Sequence, residues 1–338
     1  MLLNIHPYEL QLKNPFNITH SSRTSQKTLI LSLQHEDIIG YGEATAISYY
    51  GLQAEKMQAE FESRKETLEV LSMDSPESYW DLAYPILKDH PFLLCALDVA
   101  VNDWFAKKTG VPLYQYWGLN TEQLPLSSYT IGMDKIDVMV RKLQETPWPA
   151  YKVKLGKMDD LEVIKTLRQH TDAVFRVDAN TGWTVEQALE LIPLLKTYGV
   201  EMIEQPLKVD DLEGMKKLKA SSSLPLIADE SCQVEEDVER CASYFHGINI
   251  KIMKCGGLTP ARRMIRKARE LGLQVMVGCM IESSVGISAI AHLLPLIDYA
   301  DMDSTLMITN DPGIGVKWDY GKVLYSHRSG TGVELKSA

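Results

Sequence analysis

Short apolar runs at a near-constant interval dominate the second half of the chain. Phe175 to Asn180, Val200 to Pro206 and Leu224 to Ser231 are rich in β-branched and other apolar residues, and they carry Asp178, Glu204 and Asp229 where the apolar run stops. Such a pattern predicts buried strands that each deliver an acid to a surface. The acids stand 26 and 25 residues apart, about the length of one strand, one helix and two loops. The same interval picks out Leu126 to Gly132, Tyr151 to Gly156, Gly247 to Lys251, Gln274 to Gly278 and Tyr299 to Asp303. Between them, apolar positions recur with helical spacing over Leu161 to His170, Val185 to Tyr198, Asp210 to Ala220, Glu235 to Phe245, Thr259 to Leu271 and Ser284 to Leu296. Strands alternating with helices in this way predict an α/β fold, a (β/α)7β TIM-like barrel over residues 126–310. The site of such a barrel lies at the C-terminal strand ends.

Residues 1–125 follow a different rhythm. Asn4 to Leu12, Thr28 to Gln34 and Ile38 to Ala44 alternate like strands, with polar loops at Asn17 to Gln26 and Ile47 to Gly51. Helical patterns follow at Ala54 to Leu71, Pro76 to Lys88 and Pro91 to Lys108, the last stopped by Gly110 and Pro112. Strands and then helices predict an α+β capping domain. Residues 311–338 hold no eighth barrel helix, and their Gly-rich short strands predict a segment that returns to the capping domain.

Composition narrows the function classes. A formal charge of −10 over 338 residues speaks against nucleic acid or an anionic membrane as partner, because both repel an acidic surface. No apolar run is long enough to span a bilayer and no signal peptide is expected, so a cytoplasmic location is predicted. The five cysteines include no CxxC spacing, which predicts reduced thiols and no zinc site. The sequence leaves homo-oligomerisation open.

On a strand, residues two apart share a face. Lys152 with Lys154, Arg176 with Asp178, Asn249 with Lys251 and Asp301 with Asp303 therefore face the barrel interior. Three hard carboxylates at successive strand ends suit Mg²⁺. Simple pairing of these acids with the lysines is the plainer alternative, but it costs desolvation that salt bridges seldom recover. Lys154 and Lys251 fall on the second and sixth strands, on opposite sides of the ring, so one could remove a proton and the other add one. Neighbouring cations are expected to lower a buried lysine's pKa toward neutrality. Glu282 follows the seventh strand and is expected to point toward the site beside Lys251. Lys254 is expected on a loop or the surface, His292 in the core, and His20 as a candidate contact in the first loop.

The motifs Lys152-Val-Lys154, Val177-Asp-Ala-Asn180, Ile203-Glu-Gln-Pro206, Ala228-Asp-Glu-Ser231, Asn249-Ile-Lys251 with Lys254-Cys-Gly-Gly257, Val277-Gly-Cys-Met-Ile-Glu282 and Asp301-Met-Asp303 together resemble the enolase superfamily in its muconate-lactonizing subgroup, and within it the dipeptide epimerases. That resemblance implies one Mg²⁺ per subunit on Asp178, Glu204 and Asp229, with Lys154 and Lys251 as the acid/base pair and Lys152 as a supporting cation. It also implies that Asp301 and Asp303 bind the α-ammonium group of a dipeptide, and that Arg23 holds a glutamate side chain, as in murein peptides. Such an isomerase inverts the α-carbon of the C-terminal residue in an Ala-Glu-type dipeptide. The alternatives are o-succinylbenzoate synthase, muconate cycloisomerase or N-acylamino acid racemase activity. A non-catalytic metal-binding barrel is a more distant one. The seventh strand ends without a histidine, which speaks against dehydratases that use one as base.

Overall fold

The computed structural model describes residues 1–18, 21–156 and 159–336. The chain opens with an antiparallel sheet of β1 (Leu2–Ile18), β2 (Ser21–His35) and β3 (Ile38–Thr45). β1 and β2 are longer than their apolar alternation indicates. The expected loop from Asn17 to Gln26 is mostly strand, because Phe16 and Asn17 pair with Arg23 and Ser22, and Gln11 with Ser25. Ladder hydrogen bonds hold this stretch without an apolar pattern; His20 lies outside the described residues.

Helices α1 (Ala54–Glu69) and α3 (Pro91–Thr109) pack on this sheet, and α2 (Pro76–Leu87) packs on α3. α2 starts on a Ser75/Ser78 capping box with Pro76 in its first turn, and α3 stops at Gly110, whose positive φ returns its N–H to the last turn. β3 lies directly on α3 at Gly40 and Gly42, where a Cβ would fall about 2 Å from the carbonyl oxygens of Ala100 and Ala96. Only glycine permits that approach.

A one-turn helix, α4 (Leu113–Tyr116), leads to the eight parallel barrel strands. These are β4 (Tyr129–Ile131), β5 (Ala150–Lys154), β6 (Val174–Asp178), β7 (Val200–Glu204), β8 (Leu226–Ala228), β9 (Gly247–Ile250), β10 (Gln274–Gly278) and β11 (Tyr299–Asp301). They lie in sequence order, and a parallel bridge between Ser127 and Ala300 joins the two ends. The predicted strands are present within a few residues. Between them run α5 (Ile136–Glu145), α6 (Asp160–Arg168), α7 (Val185–Thr197), α8 (Leu212–Ser221), α9 (Asp237–Ala242), α10 (Ile252–Cys255), α11 (Leu258–Glu270) and α12 (Ser284–Ala291), and α13 (Ser304–Met307) follows β11. The sequence reading passed over α5 and the one-turn helices α4, α10 and α13. A single turn is too short to show a 3.6-residue period.

The barrel floor is apolar, with Met202, Ile227, Met276 and Tyr299 forming a buried cluster. Two carboxylates of the N-terminal region reach across to barrel helices. Glu43 of β3 accepts hydrogen bonds from Ser283 N and Gly286 N, both at 3.0 Å, at the start of α12, and Asp98 of α3 accepts from Thr259 N (2.9 Å) at the start of α11. Negative groups at helix N-termini satisfy orphan N–H donors and the helix dipole. The C-terminal segment meets α3 as well: Asp103 accepts from Thr331 N at 2.7 Å, and Leu113 N donates to Gly330 O at 2.8 Å. Among the described residues, no helix is long and apolar enough to cross a membrane.

Candidate active site

The strand alternation carries charge to the top of the barrel. Lys154 pairs in register with Asp178, and Asp178 with Glu204. Asp229 and Lys251 directly follow β8 and β9, and Asp301 ends β11. Lys152 is fully buried one step below. Its Nζ lies 2.7 Å from Glu204 Oε2, 2.8 Å from Asp301 Oδ2 and 3.2 Å from Asp178 Oδ2. Lys154 Nζ donates to Asp178 Oδ2 at 2.6 Å, and across the ring Lys251 Nζ donates to Asp229 Oδ2 at 2.7 Å. A cavity opens above them, lined by both lysines, Lys152, Asp229, Asp301 and Asp303, with Arg23, Ile47 and Tyr50 contributed by the N-terminal region. Gly278 supplies room on β10, since a Cβ there would stand 3.0 Å from the Asn249 amide and 3.3 Å from Lys251 Cε.

Burial works against ionisation of all three acids, and the lysines decide which of them stay charged. Lys154 and Lys152 hold the Asp178 carboxyl at about 2. Asp229, between Lys251 and Lys254, is held well below the usual carboxylate range. Glu204 is pushed up to about 7 by burial and by Asp178, with Lys152 only partly offsetting them. Its Oε1 accepts from Asn249 Nδ2 at 2.9 Å, whereas Oε2 is buried with no hydrogen bond of acceptable direction, despite the nearby Lys152 ammonium. Asp301 accepts from the hydroxyls of Ser128 and Thr130 and is held below its ordinary pKa, burial being outweighed by Lys152. Asp303 accepts from Thr130 N at 2.6 Å and is pushed up to about 7 by burial and by Asp301.

With this geometry in view, relatives can be compared. The family described as Enolase C-terminal domain-like matches residues 136–338. The L-Ala-D/L-amino acid epimerase of Flavobacterium johnsoniae is 50% identical over 99% of this chain and 100% of its own. The L-Ala-D/L-Glu epimerase of Bacteroides thetaiotaomicron is 39% identical over 98% and 88%. Among solved structures, the dipeptide epimerase of Cytophaga hutchinsonii, complexed with Mg and the dipeptide D-Ala-L-Val, superposes with a TM-score of 0.92 at 27% identity, covering 99% of this chain and 95% of that one.

The chain belongs to the enolase superfamily, in its dipeptide epimerase branch. Within this enolase-type barrel the structure brings together Lys152, Lys154, Asp178, Glu204, Asp229, Lys251, Asp301 and Asp303, and it sets Arg23 on the cavity wall, with Nη1 donating to Gln26 Oε1 at 2.6 Å. Three expectations need correction. Lys254 is buried, not on a loop surface: the single turn α10 brings its ammonium to 2.7 Å from Asp229 Oδ1. Glu282 lies near Lys251 but is buried and does not line the cavity. Its Oε1 folds back to accept Met280 N at 2.8 Å, and burial, with Glu43 nearby, raises its carboxyl to about 8. The Lys251 pKa is raised, not lowered toward neutrality, because Asp229 outweighs burial.

The sequence reading missed Tyr50, which lines the cavity from the 3-10 turn Ser48–Tyr50 near Lys254. Its only sequence signal was a polar loop. Glu230 and Asn180 also line the cavity; both stand inside the quoted motifs, where a role was readable but not assigned. His292 is buried as expected, accepting Tyr114 N on Nδ1 at 3.1 Å.

Proposed function

We propose that this chain is a dipeptide epimerase that inverts the α-carbon of the C-terminal residue by proton transfer between two lysines. One observation carries this reading. Lys154 and Lys251 present ammonium groups to one cavity from strands four places apart in an eight-strand ring, with Asp301 and Asp303 at the same mouth. An α-carbon held between the lysines can lose its proton to one amine and regain one on the opposite face from the other. The buried carboxylates of Asp301 and Asp303 suit a free α-ammonium group, which favours a dipeptide over an N-acylated amino acid.

The donor set fits a hard divalent cation such as Mg²⁺, one per subunit. Asp178, Glu204 and Asp229 offer only oxygen, and Glu204 Oε2 is a buried acceptor lacking a hydrogen bond. Among the described residues no group of three acids is placed to hold a metal ion. Lysine head groups lie against the acids instead, Lys154 on Asp178 Oδ2 and Lys251 on Asp229 Oδ2. A bound ion would supply Lewis-acid polarisation of the substrate carboxylate. Lys152, touching Asp178, Glu204 and Asp301 at once, orients all three.

Arg23 at the cavity wall is assigned to an acidic C-terminal side chain. α-Deuterium incorporation from D₂O into L-Ala-L-Glu and L-Ala-L-Leu tests both levels. Asp303→Asn should depress both dipeptides, and Arg23→Ala should depress Ala-Glu by a factor of about 30 or more relative to Ala-Leu. Equal loss on both substrates with Arg23→Ala removes the side-chain assignment. Turnover of N-acylamino acids but not dipeptides removes the epimerase reading.

A further inference from the structure

Beyond Asp303 a second cavity abuts the first. It is lined by Leu12, Lys13, Pro15 and Tyr129, and shares Thr130 and Met307 with the active-site cavity. Its capping wall is a built feature of β1. The β1–β2 register shifts between Gln11 and Phe16, so Leu12 to Pro15 leave the ladder, and Leu12 instead bridges Ile308. Gln11 O accepts from Thr309 N at 2.9 Å, Gln11 N donates to Asn310 Oδ1 at 2.7 Å, and Asn310 Nδ2 donates to Glu9 O at 2.9 Å. The bulge is thereby laced to the stretch that directly follows Met307. Thr130 ties the other wall to Asp303 through its N–H, at 2.6 Å.

The geometry points to Met307 as the residue that sets the size of the substrate's N-terminal side chain, and to the cavity behind it as a subsite for an aliphatic one. This rests on the reading that Asp301 and Asp303 hold the α-ammonium group. A side chain on the carbon bearing that ammonium starts beside Thr130 and Met307, so these two residues confine it. The second cavity lies past them. Leu12, Pro15, Tyr129 and Leu306 offer apolar contact, Asn14 is a polar member of the lining, and Lys13 and Lys142 disfavour a cationic side chain. Methionine is unbranched and flexible, so it can narrow the passage without sealing it.

The test is kcat/KM for L-Ala-L-Glu and L-Leu-L-Glu, both read by α-deuterium incorporation. Met307→Ala should raise the Leu-Glu to Ala-Glu ratio about tenfold or more, since the added apolar contact of a leucine is worth about 1–3 kcal/mol. Leu12→Trp, filling the cavity from the capping side, should lower the same ratio in wild type and cancel the gain in the double variant. If Met307→Ala does not fold, the Leu12→Trp ratio alone decides. Turnover of both dipeptides at an unchanged ratio in the folded variants overturns this inference and leaves the epimerase reading standing. Wild type converting neither dipeptide removes that reading and this inference with it.

Discussion

Two lysine–aspartate–lysine groups face each other across the barrel mouth. On one side Lys154 and Lys152 share Asp178; on the other Lys251 and Lys254 share Asp229. In each, one lysine is partly exposed at the cavity and the other is buried, Lys152 still lining the cavity and Lys254 behind Asp229. The difference lies in what the buried lysine also touches. Lys152 joins Asp178 to Glu204 and Asp301, so its group is tied to both the proposed metal ligands and the proposed ammonium site. Lys254 donates to the carboxylate and main-chain oxygen of Asp229 and lies near Tyr50 of the capping region. The same local chemistry thus serves two different connections, one within the barrel and one between barrel and cap.

Removing either cavity lysine is expected to have the largest effect. Lys154→Ala and Lys251→Ala should each reduce epimerisation by about 10²–10⁴-fold. If the two groups serve opposite faces, each variant retains α-proton exchange with one epimer only, and the two variants prefer opposite epimers. Equal loss of exchange with both epimers, in folded protein, would break the comparison.

A cation test comes next. Exhaustive chelation should abolish turnover and added Mg²⁺ restore it. Asp178→Asn and Asp229→Asn should each raise the Mg²⁺ concentration needed, because each removes an anionic ligand. Undiminished activity in chelator would remove both groups from any metal site.

The buried lysines should separate in stability. Deleting one partner of a buried pair costs about 3–5 kcal/mol. Lys152→Met strands Glu204 and Asp301, whereas after Lys254→Met Asp229 keeps Lys251, so thermal unfolding should show the larger loss for Lys152→Met, with Mg²⁺ recovering part of both. A larger loss for Lys254→Met would invert the proposed asymmetry. The smallest effect is expected of Gly278→Ala. Its Cβ would crowd Asn249 and Lys251 Cε, so kcat should fall less than about tenfold, a difference of about 1.4 kcal/mol. Exchange of the epimer served by Lys251 should suffer while that served by Lys154 does not.

The two groups also differ in how readable they were. Lys152 and Lys154 are two apart on one strand, and alternation alone turns both inward. Lys251 and Lys254 are three apart across a strand end, where no single period applies. Alternation gave Lys251 but sent Lys254 to the surface, and the turn α10 brings it back to Asp229. Glu282 failed in the opposite way. Its place after β10 aimed it at the cavity, yet a local hydrogen bond to Met280 N folds it away. The strand pair β1–β2 escaped for a related reason, since the pairing of Phe16 with Arg23 and Asn17 with Ser22 rests on the backbone and carries no hydrophobic signature.

What the sequence determined by itself was the repeat and its punctuation. Strands of period two ending in acids and lysines at a βαβ interval place Asp178, Glu204, Asp229, Lys154 and Lys251 on one rim, because side-chain direction along a strand is a local property of the backbone. Tertiary structure alone decided which charges share partners and which protonation states burial allows. It also decided where the cap closes over the barrel: Tyr50 near Lys254, the Leu12 to Pro15 bulge behind Met307, and Glu43 on the start of α12. These contacts join residues tens to hundreds of positions apart. Their energies depend on packing and desolvation, which no periodicity along the chain records.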